Sequence, residues 1–233
     1  PCDQRCSEPS GGKVCVSGRV FGFADLVTQG ADKAAPVAKA EGLKVSLYEP
    51  LAYFTNPAAV PIGGAEIYNA EGCFIIKDVI VPAMNSLIAV VEDDKETPPR
   101  YVRAGLGLTA SATQNVTEVQ MPAVTPTLAE GWGAGLLAKG AIIHRFLDDK
   151  GAPVSGVVPT SNGQPAANVL YLDDTAKAVD GAATATGSLG LAITPEVPLG
   201  GQSGTKQGCT IPTLATGSAP NSFFIITWTV SGC

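Results

Sequence analysis

A single histidine, His144, limits the acid–base and nucleophilic chemistry open to this chain of 233 residues. Ser–His–Asp and Cys–His mechanisms both need an imidazole, so either would have to use this residue. His144 lies in the segment AIIHRFL, whose alternation is typical of an ordinary β-strand. The nearest approach to a nucleophile elbow, Gly187-Ser188-Leu189-Gly190, has its first glycine one position too close to the serine. We therefore expect His144 to be a half-buried or exposed strand residue, and we expect no catalytic residues and no enzyme.

The cysteines favour disulfides over metal binding. They are Cys2, Cys6, Cys15, Cys73, Cys209 and Cys233. No CxxC pair occurs among them, and one histidine cannot complete a Cys₂His₂ zinc site. We expect Cys209 to bond to Cys233 and the other four to pair among themselves, with buried free thiols as the alternative.

Disulfides and the N-terminus together suggest a compartment. Disulfides persist in oxidising surroundings, which favours an extracellular or cell-surface protein. The chain starts at Pro1 without an initiator methionine or an apolar leader. We expect an exported protein whose signal peptide has been removed, although a trimmed chain would look the same.

Three pairs of carboxylates could bind a hard cation. They are Asp93-Asp94, Asp148-Asp149 and Asp173-Asp174, and each directly follows an expected strand. Paired carboxylates at loop tips can bind Ca²⁺ through oxygen ligands. The alternative is that these residues form turns and end strands, as aspartates commonly do. No EF-hand spacing is present, so we expect no cofactor, with a weak Ca²⁺ site at two of these tips as the alternative.

An aromatic pair, Tyr53 and Phe54, is the candidate binding site. Both rings lie in residues 49–64, a long Pro-containing segment expected to be a loop. Exposed rings could stack on a sugar or anchor a protein partner. The alternative is that both rings pack beneath their own loop. The sequence leaves the identity of any small-molecule ligand unknown.

Composition indicates an all-β protein. Hydrophobic residues make up 45% and charged residues 15% of the chain, with 27 glycines and 18 prolines. Such a chain can form a core from short strands separated by many turns. The net charge of −6 argues against nucleic acid or an anionic membrane as a partner. No apolar run reaches the length of a transmembrane helix, so we expect no membrane-spanning segment.

Strand signals recur along both halves of the chain, bounded by Gly, Pro, Asn or Asp. The expected strands are 14–23, 43–48, 73–81, 86–92, 101–108, 116–121, 141–147, 154–158, 168–172, 188–193 and 222–230. Thr127–Lys139 has the apolar spacing of a short helix, weakened by three glycines. We expect an N-terminal arm (1–12), a β-sandwich domain (13–125), a short helical or irregular linker (126–139) and a second β-sandwich domain (140–233).

The two halves also resemble each other. Residues 43–50 are similar to 168–174, and residues 85–91 are similar to 221–227. Between them, residues 65–79 are similar to 183–197, with Gly72 matched to Gly190. Because the order of the three blocks is kept, the pattern favours two related β-domains over one large sandwich.

The segments Val16–Val20, Val45–Tyr48 and Asn69–Val79 resemble the carboxypeptidase-regulatory-like, or transthyretin-like, β-sandwich module of secreted bacterial proteins. Residues 151–156, 167–172 and 185–193 repeat the pattern, with Ala192 where the family has phenylalanine. The resemblance implies two immunoglobulin-like or transthyretin-like sandwiches in tandem.

We therefore expect a non-catalytic extracellular structural or adhesive protein, as a self-assembling subunit of a surface appendage or matrix. The alternative is a carbohydrate- or calcium-dependent binding module. The expected partner is a second copy or another surface protein, joined through strand pairing. Ser222–Val230 and Ser86–Val91 carry few of the charges that protect sheet edges, and Pro1–Lys13 is the expected donor arm.

Overall fold

The computed structural model describes Cys2 and residues 5–233. The chain divides into two compact units, the first ending at Thr125 and the second spanning Pro126–Cys233. Both are built mainly from strands arranged in several sheets, which confirms the all-β class. No helix among the described residues combines the length and apolar character needed to span a bilayer.

The first unit contains seven strands and two short helices. In chain order these are β1 (Lys13–Gly22), α1 (Phe23–Gln29), β2 (Lys44–Tyr48), α2 (Pro50–Thr55), β3 (Gly63–Glu66), β4 (Cys73–Ile80), β5 (Ser86–Glu92), β6 (Arg103–Thr109) and β7 (Val116–Ala123).

Two sheets of the first unit enclose one core. In the first sheet, β1 lies between β4, to which it is antiparallel, and β7, to which it is parallel. In the second sheet, β5 and β2 are antiparallel neighbours, with β6 beside β5 and β3 beside β2. Alternation along β2 sends Val45 and Leu47 into the core, where both are fully buried. Core residues from the facing sheet include Val16, Phe74 and Met121.

Helix α2 has a local explanation in its first residues. The Glu49 side chain accepts hydrogen bonds from the backbone N–H groups of Leu51 and Ala52, at 3.1 and 2.6 Å. Pro50 occupies the first helical turn, where its missing N–H costs nothing. The segment expected to be a loop therefore begins as a capped helix.

The second unit contains two helices and eight strands. They are α3 (Pro126–Trp132), α4 (Leu136–Lys139), β8 (Ala141–Asp148), β9 (Val158–Ser161), β10 (Gln164–Pro165), β11 (Leu170–Tyr171), β12 (Leu191–Pro195), β13 (Gly200–Thr205), β14 (Leu214–Thr216) and β15 (Ser222–Val230).

In the second unit, as in the first, the first strand of the unit has a neighbouring strand on each side. Strand β8 is antiparallel to β12 and parallel to β15, and β11 pairs with the other side of β12. A second, antiparallel sheet has the order β10-β9-β13-β14. Its Gly204 lies against the Phe146 ring of β8, since a Cβ atom there would come within 2.7 Å of that ring. Trp228, Phe146 and Phe223 are the bulkiest fully buried side chains of this unit.

Residues 126–139 are not a separate linker in this structure. They form α3 and α4 and belong to the second unit, where Trp132 and Leu136 are buried. The indole N–H of Trp132 donates to the carbonyl oxygen of Ala176 at 3.0 Å. Gly135, in the left-handed region with φ of 73°, separates the two helices that the sequence predicted as one. Glycine allows this conformation without a Cβ clash.

Gly72 of the first unit and Gly190 of the second lie against the central strand of their unit in equivalent ways. Gly72 and Gly190, which the sequence comparison matched, have φ of 75° and 65°. A Cβ atom on Gly72 would lie 2.8 Å from the Val20 carbonyl oxygen, and one on Gly190 would lie 2.4 Å from that of Phe146. Each glycine carbonyl also accepts from the N–H of the same strand residue, at 2.9 Å in both units.

Candidate functional site

His144 is buried, with 1% of its surface exposed, so the expectation of a half-buried or exposed residue was wrong. Its Nδ1 lies 3.1 Å from the indole nitrogen of Trp228, and its Nε2 lies 3.0 Å from Oγ1 of Thr194. Because an indole N–H can only donate, Nδ1 is the unprotonated acceptor and Nε2 carries the hydrogen. Burial lowers the pKa of His144 to about 3. The ring is thus held neutral among core side chains.

Aromatic packing explains why this histidine can be inside the protein. The His144 ring stacks with Phe146 and Trp228 at centroid distances of 5.9 and 6.0 Å. Both ring nitrogens have partners, so burial leaves no polar atom of the side chain unsatisfied. His144 therefore has the environment of a core residue.

Asp93 is a buried structural carboxylate. It accepts hydrogen bonds from the Arg100 backbone N–H at 2.7 Å and from Nε and Nη2 of the Arg100 guanidinium at 3.2 Å. Arg100 also donates to the carbonyl oxygens of Lys39 and Glu41, at 2.7 and 2.9 Å. The hydrogen bond with Asp93 raises the pKa of Arg100. Arg100 thereby joins two loops of the first unit and Asp93 holds its guanidinium in place, while the neighbouring Asp94 is exposed.

The other acidic pairs lie in turns of the second unit. Asp148 accepts from the backbone N–H groups of Lys150 and Ala152, at 2.9 and 2.8 Å, and Asp149 is exposed. Asp173 accepts from the backbone N–H and hydroxyl groups of Thr175, at 3.1 and 2.8 Å. Asp174 accepts from the Ser188 hydroxyl. These contacts are typical of aspartates in turns, which the sequence analysis gave as the alternative to calcium binding.

The predicted acidic tips do not form a metal-ligand set in the described part of the chain. Among residues 5–233 and Cys2, no three His, Cys, Asp or Glu side chains come close enough together to hold a metal ion.

Tyr53 and Phe54 lie on α2, not on a loop, and both are half-buried. Their rings contact each other edge to face with centroids 5.2 Å apart, and Tyr53 also contacts Tyr48 at 5.4 Å. The Arg103 guanidinium lies over the rings of Tyr48 and Tyr53, at 5.4 and 5.5 Å. The pair is therefore part of a cluster on the second sheet of the first unit.

Glu92 forms the polar part of this cluster, which the sequence interpretation missed. Its carboxylate accepts from the hydroxyls of Ser46 and Tyr48, at 2.7 and 2.9 Å, and lies 3.4 Å from Nε of Arg103. Burial, together with this hydrogen bond, raises the pKa of Tyr48 to about 12. Alternation in KVSLY places Ser46 and Tyr48 on one face, which was the available signal.

All six cysteines are in disulfides, namely Cys2–Cys73, Cys6–Cys15 and Cys209–Cys233. The last is the pair expected from the sequence.

The first two disulfides hold the N-terminal arm against its own unit. The Tyr68 hydroxyl donates to the Cys2 carbonyl oxygen at 3.2 Å, and the Asn115 amide donates to that of Ser7 at 2.9 Å. In the oxidised chain the N-terminal arm is therefore not free to act as the donor strand that the sequence predicted.

No protein-family model and no curated protein matches this chain, so the carboxypeptidase-regulatory-like resemblance stays a prediction. Similar solved structures include the Bacillus anthracis TIE protein, at 9% identity and a TM-score of 0.30, covering 93% of this chain and 34% of that one. A Streptococcal ancillary pilin is 11% identical with a TM-score of 0.27, covering 94% and 69%. The shaft pilin SpaA of Lactobacillus rhamnosus GG is 15% identical with a TM-score of 0.30, covering 95% and 99%. This chain spans about a third of the TIE protein, and scores at this level assign neither fold nor function.

Proposed function

We propose that this chain is a non-catalytic structural or adhesive subunit of an extracellular or cell-surface assembly. The observation that carries the proposal is the set of three disulfides, with no free cysteine. Such complete pairing is typical of proteins that fold and work in an oxidising compartment. The bridges fasten residues near both ends of the chain to the units that contain them.

The use of the reactive side chains supports a non-catalytic role. The only histidine is a neutral core residue, because its ring nitrogens are engaged by Thr194 and Trp228. Asp93 is committed to Arg100, and Asp148 and Asp173 are committed to backbone turns. In this arrangement these groups stabilise the fold.

We further propose that the subunit associates through strand pairing, with a second copy or with another surface protein. Main-chain hydrogen bonds can supply affinity in such contacts. Since disulfides fasten the N-terminal arm to its own unit, the pairing surface has to be a sheet edge of a folded unit.

Two measurements test the proposal. Cell fractionation and protease treatment of intact cells of the source organism should place the native protein outside the cytoplasm, with all cysteines oxidised. Light scattering of the purified oxidised chain should show a mass that rises with concentration. A reduced cytoplasmic protein would contradict the export and structural role, and a monomer at every concentration would contradict self-association.

A further inference from the structure

Both outer strands of the three-stranded sheet in the first unit carry a β-bulge. Between Val14 and Val16 of β1, the partner strand β4 advances by one extra residue, and Asp78 there has φ of 56°. Between Val16 and Gly18, β7 likewise has an extra residue, and Glu118 has φ of 58°. A bulge twists an edge strand and interrupts its pairing, and a charged side chain adds a further barrier. These two edges are therefore protected against strand addition.

Other outer strands are protected by length, charge or proline. Strand β3 is protected by charge: it ends at Glu66, which is in an ion pair with Lys95 and lies opposite Lys44. Strands β10 and β11 have two residues each, and β10 includes Pro165. Short strands, charges and proline are the usual means by which natural sheets avoid edge pairing.

Strand β14 is longer by one residue than β10 and β11, with three residues, and it has neither a bulge nor a charge. Its register with β13 is continuous, from Gly200 opposite Thr216 to Gln202 opposite Leu214. Within the described chain no strand pairs with its other side. No Asp, Glu, Lys or Arg side chain follows Lys206 in the sequence, so the whole region is uncharged. Leu214 is also 46% exposed, which leaves apolar surface on this edge.

We propose that β14 is the strand-pairing edge of this protein and that it pairs with β14 of a second copy, antiparallel about a two-fold axis. This inference rests on the proposed self-association. An isologous contact sets each residue against itself or a near neighbour, so a charged edge would face its own charge. An uncharged edge such as β14 avoids this repulsion, although the chain as a whole has a net charge of −6.

The two-fold pairing has a definite register. Centred on Ala215, it sets that residue opposite the same residue of the second copy, and it sets Leu214 opposite Thr216. Pairing would cover the exposed part of Leu214 and satisfy the outward-facing main-chain groups of the strand. A ladder this short is expected to give a weak dimer, visible at high concentration and useful where many copies are held close together.

Substitution of the exposed residue Ala215 by glutamate or by lysine tests this contact. The unmodified chain should roughly double in mass by sedimentation between about 1 μM and about 1 mM, as expected for a weak dimer. Ala215→Glu and Ala215→Lys should each stay monomeric, because like charges face each other. An equal mixture of the two should dimerise again, because opposite charges then meet. Matched controls are Gln120→Glu and Gln120→Lys on the protected strand β7, which should dimerise as the unmodified chain does.

The outcomes separate this inference from the proposal it rests on. A chain that associates equally well with either charge at Ala215 would overturn the β14 contact and leave self-association to another surface. A chain that is monomeric throughout would overturn both. Amide hydrogen exchange on the unmodified chain gives a second reading: protection of residues 213–217 should rise with concentration. Unchanged exchange in an associating chain would also overturn the contact, even if the charged variants fail to fold.

Discussion

Protonation of His144 would set two N–H groups against each other, because Nδ1 already accepts from the indole of Trp228. The folded pKa is about 3, whereas an exposed histidine in the unfolded chain titrates near 6.5. Between these values the unfolded chain binds a proton that the folded chain does not. The stability contribution is therefore complete above about pH 6.5 and is lost as the pH falls towards 3.

We predict that unfolding becomes easier by about 3 kcal/mol between about pH 7 and about pH 4 through this residue alone. Urea titration at several pH values would measure the change. His144→Phe, which cannot titrate, is the matched control and should show only the pH dependence of the carboxylates. Equal pH dependence in the two proteins would contradict a buried neutral histidine.

Asp93 and Asp94 are adjacent residues with opposite environments. The Asp93 side chain has no exposed surface and faces Arg100, whereas Asp94 is exposed. We predict that Asp93→Ala lowers the free energy of unfolding by about 3 kcal/mol, because it leaves the guanidinium without its buried partner. Asp94→Ala should change it by less than about 0.5 kcal/mol. Denaturant melts would compare them, and equal effects would argue against the structural role.

At the scale of elements, apolar strands were easier to predict than polar ones. Ser86–Glu92 and Ser222–Val230 were predicted with the bounds that the structure gives them. Strand β13, with sequence GGQSGT, was missed because Thr205 is its one β-branched residue and it has no aromatic residue; the strand owes its place to pairing with β9 and β14. Residues 154–158 were predicted as a strand, but the observed strand is Val158–Ser161.

The internal repeat was predictable in part. Strands β4 and β12 hold the same place beside β1 and β8, as the matched blocks suggested. The third pair of blocks, residues 85–91 and 221–227, does not correspond in the structure. The first block lies in β5, which belongs to the second sheet of its unit. The second block lies in β15, which pairs in parallel with β8, and the strand that pairs in this way with β1 is β7. Apolar runs of similar composition cannot distinguish these positions, because the difference is one of pairing.

The candidate site was predicted less well than the fold. The sequence drew attention to His144, Asp93 and Tyr53 by residue type, but the environments of these side chains depend on distant partners. Trp228 and Arg103 are 84 and 50 residues away from the side chains they meet, His144 and Tyr53. Local patterning carries no information about contacts at such separations.

Gly72 and Gly190 should both be intolerant of a side chain. We predict that Gly72→Ala or Gly190→Ala costs about 2–4 kcal/mol, because a methyl group would meet a strand carbonyl in a left-handed backbone. Gly151→Ala is the matched control: its φ is 82°, but no atom lies within 4 Å of the added carbon. The control should lose only about 1 kcal/mol, the cost of the backbone conformation. Chemical denaturation would contradict the account if all three lost the same amount.

For the whole molecule, the disulfides close loops of very different size. The sequence separations are 71 residues for Cys2–Cys73, 24 for Cys209–Cys233 and 9 for Cys6–Cys15. On the chain-entropy model, replacing each pair by serine should cost about 4, 3 and 2.5 kcal/mol respectively. Denaturant melts of the three double variants would measure the order, and intact mass would show the loss of two hydrogens per remaining bridge. A reversed order would contradict the loop-closure account.

These same bridges set how far the chain can stretch when it is pulled from its two ends. Tension would pass from Cys2 directly to Cys73 and from Cys209 directly to Cys233, and the residues between each pair would bear no load. A fully extended oxidised chain would then reach roughly 460 Å, against roughly 790 Å for the reduced one. Under a load that unfolds the units, a fibre made of such links would reach its limit of extension sooner in oxidising surroundings than in the presence of a reductant.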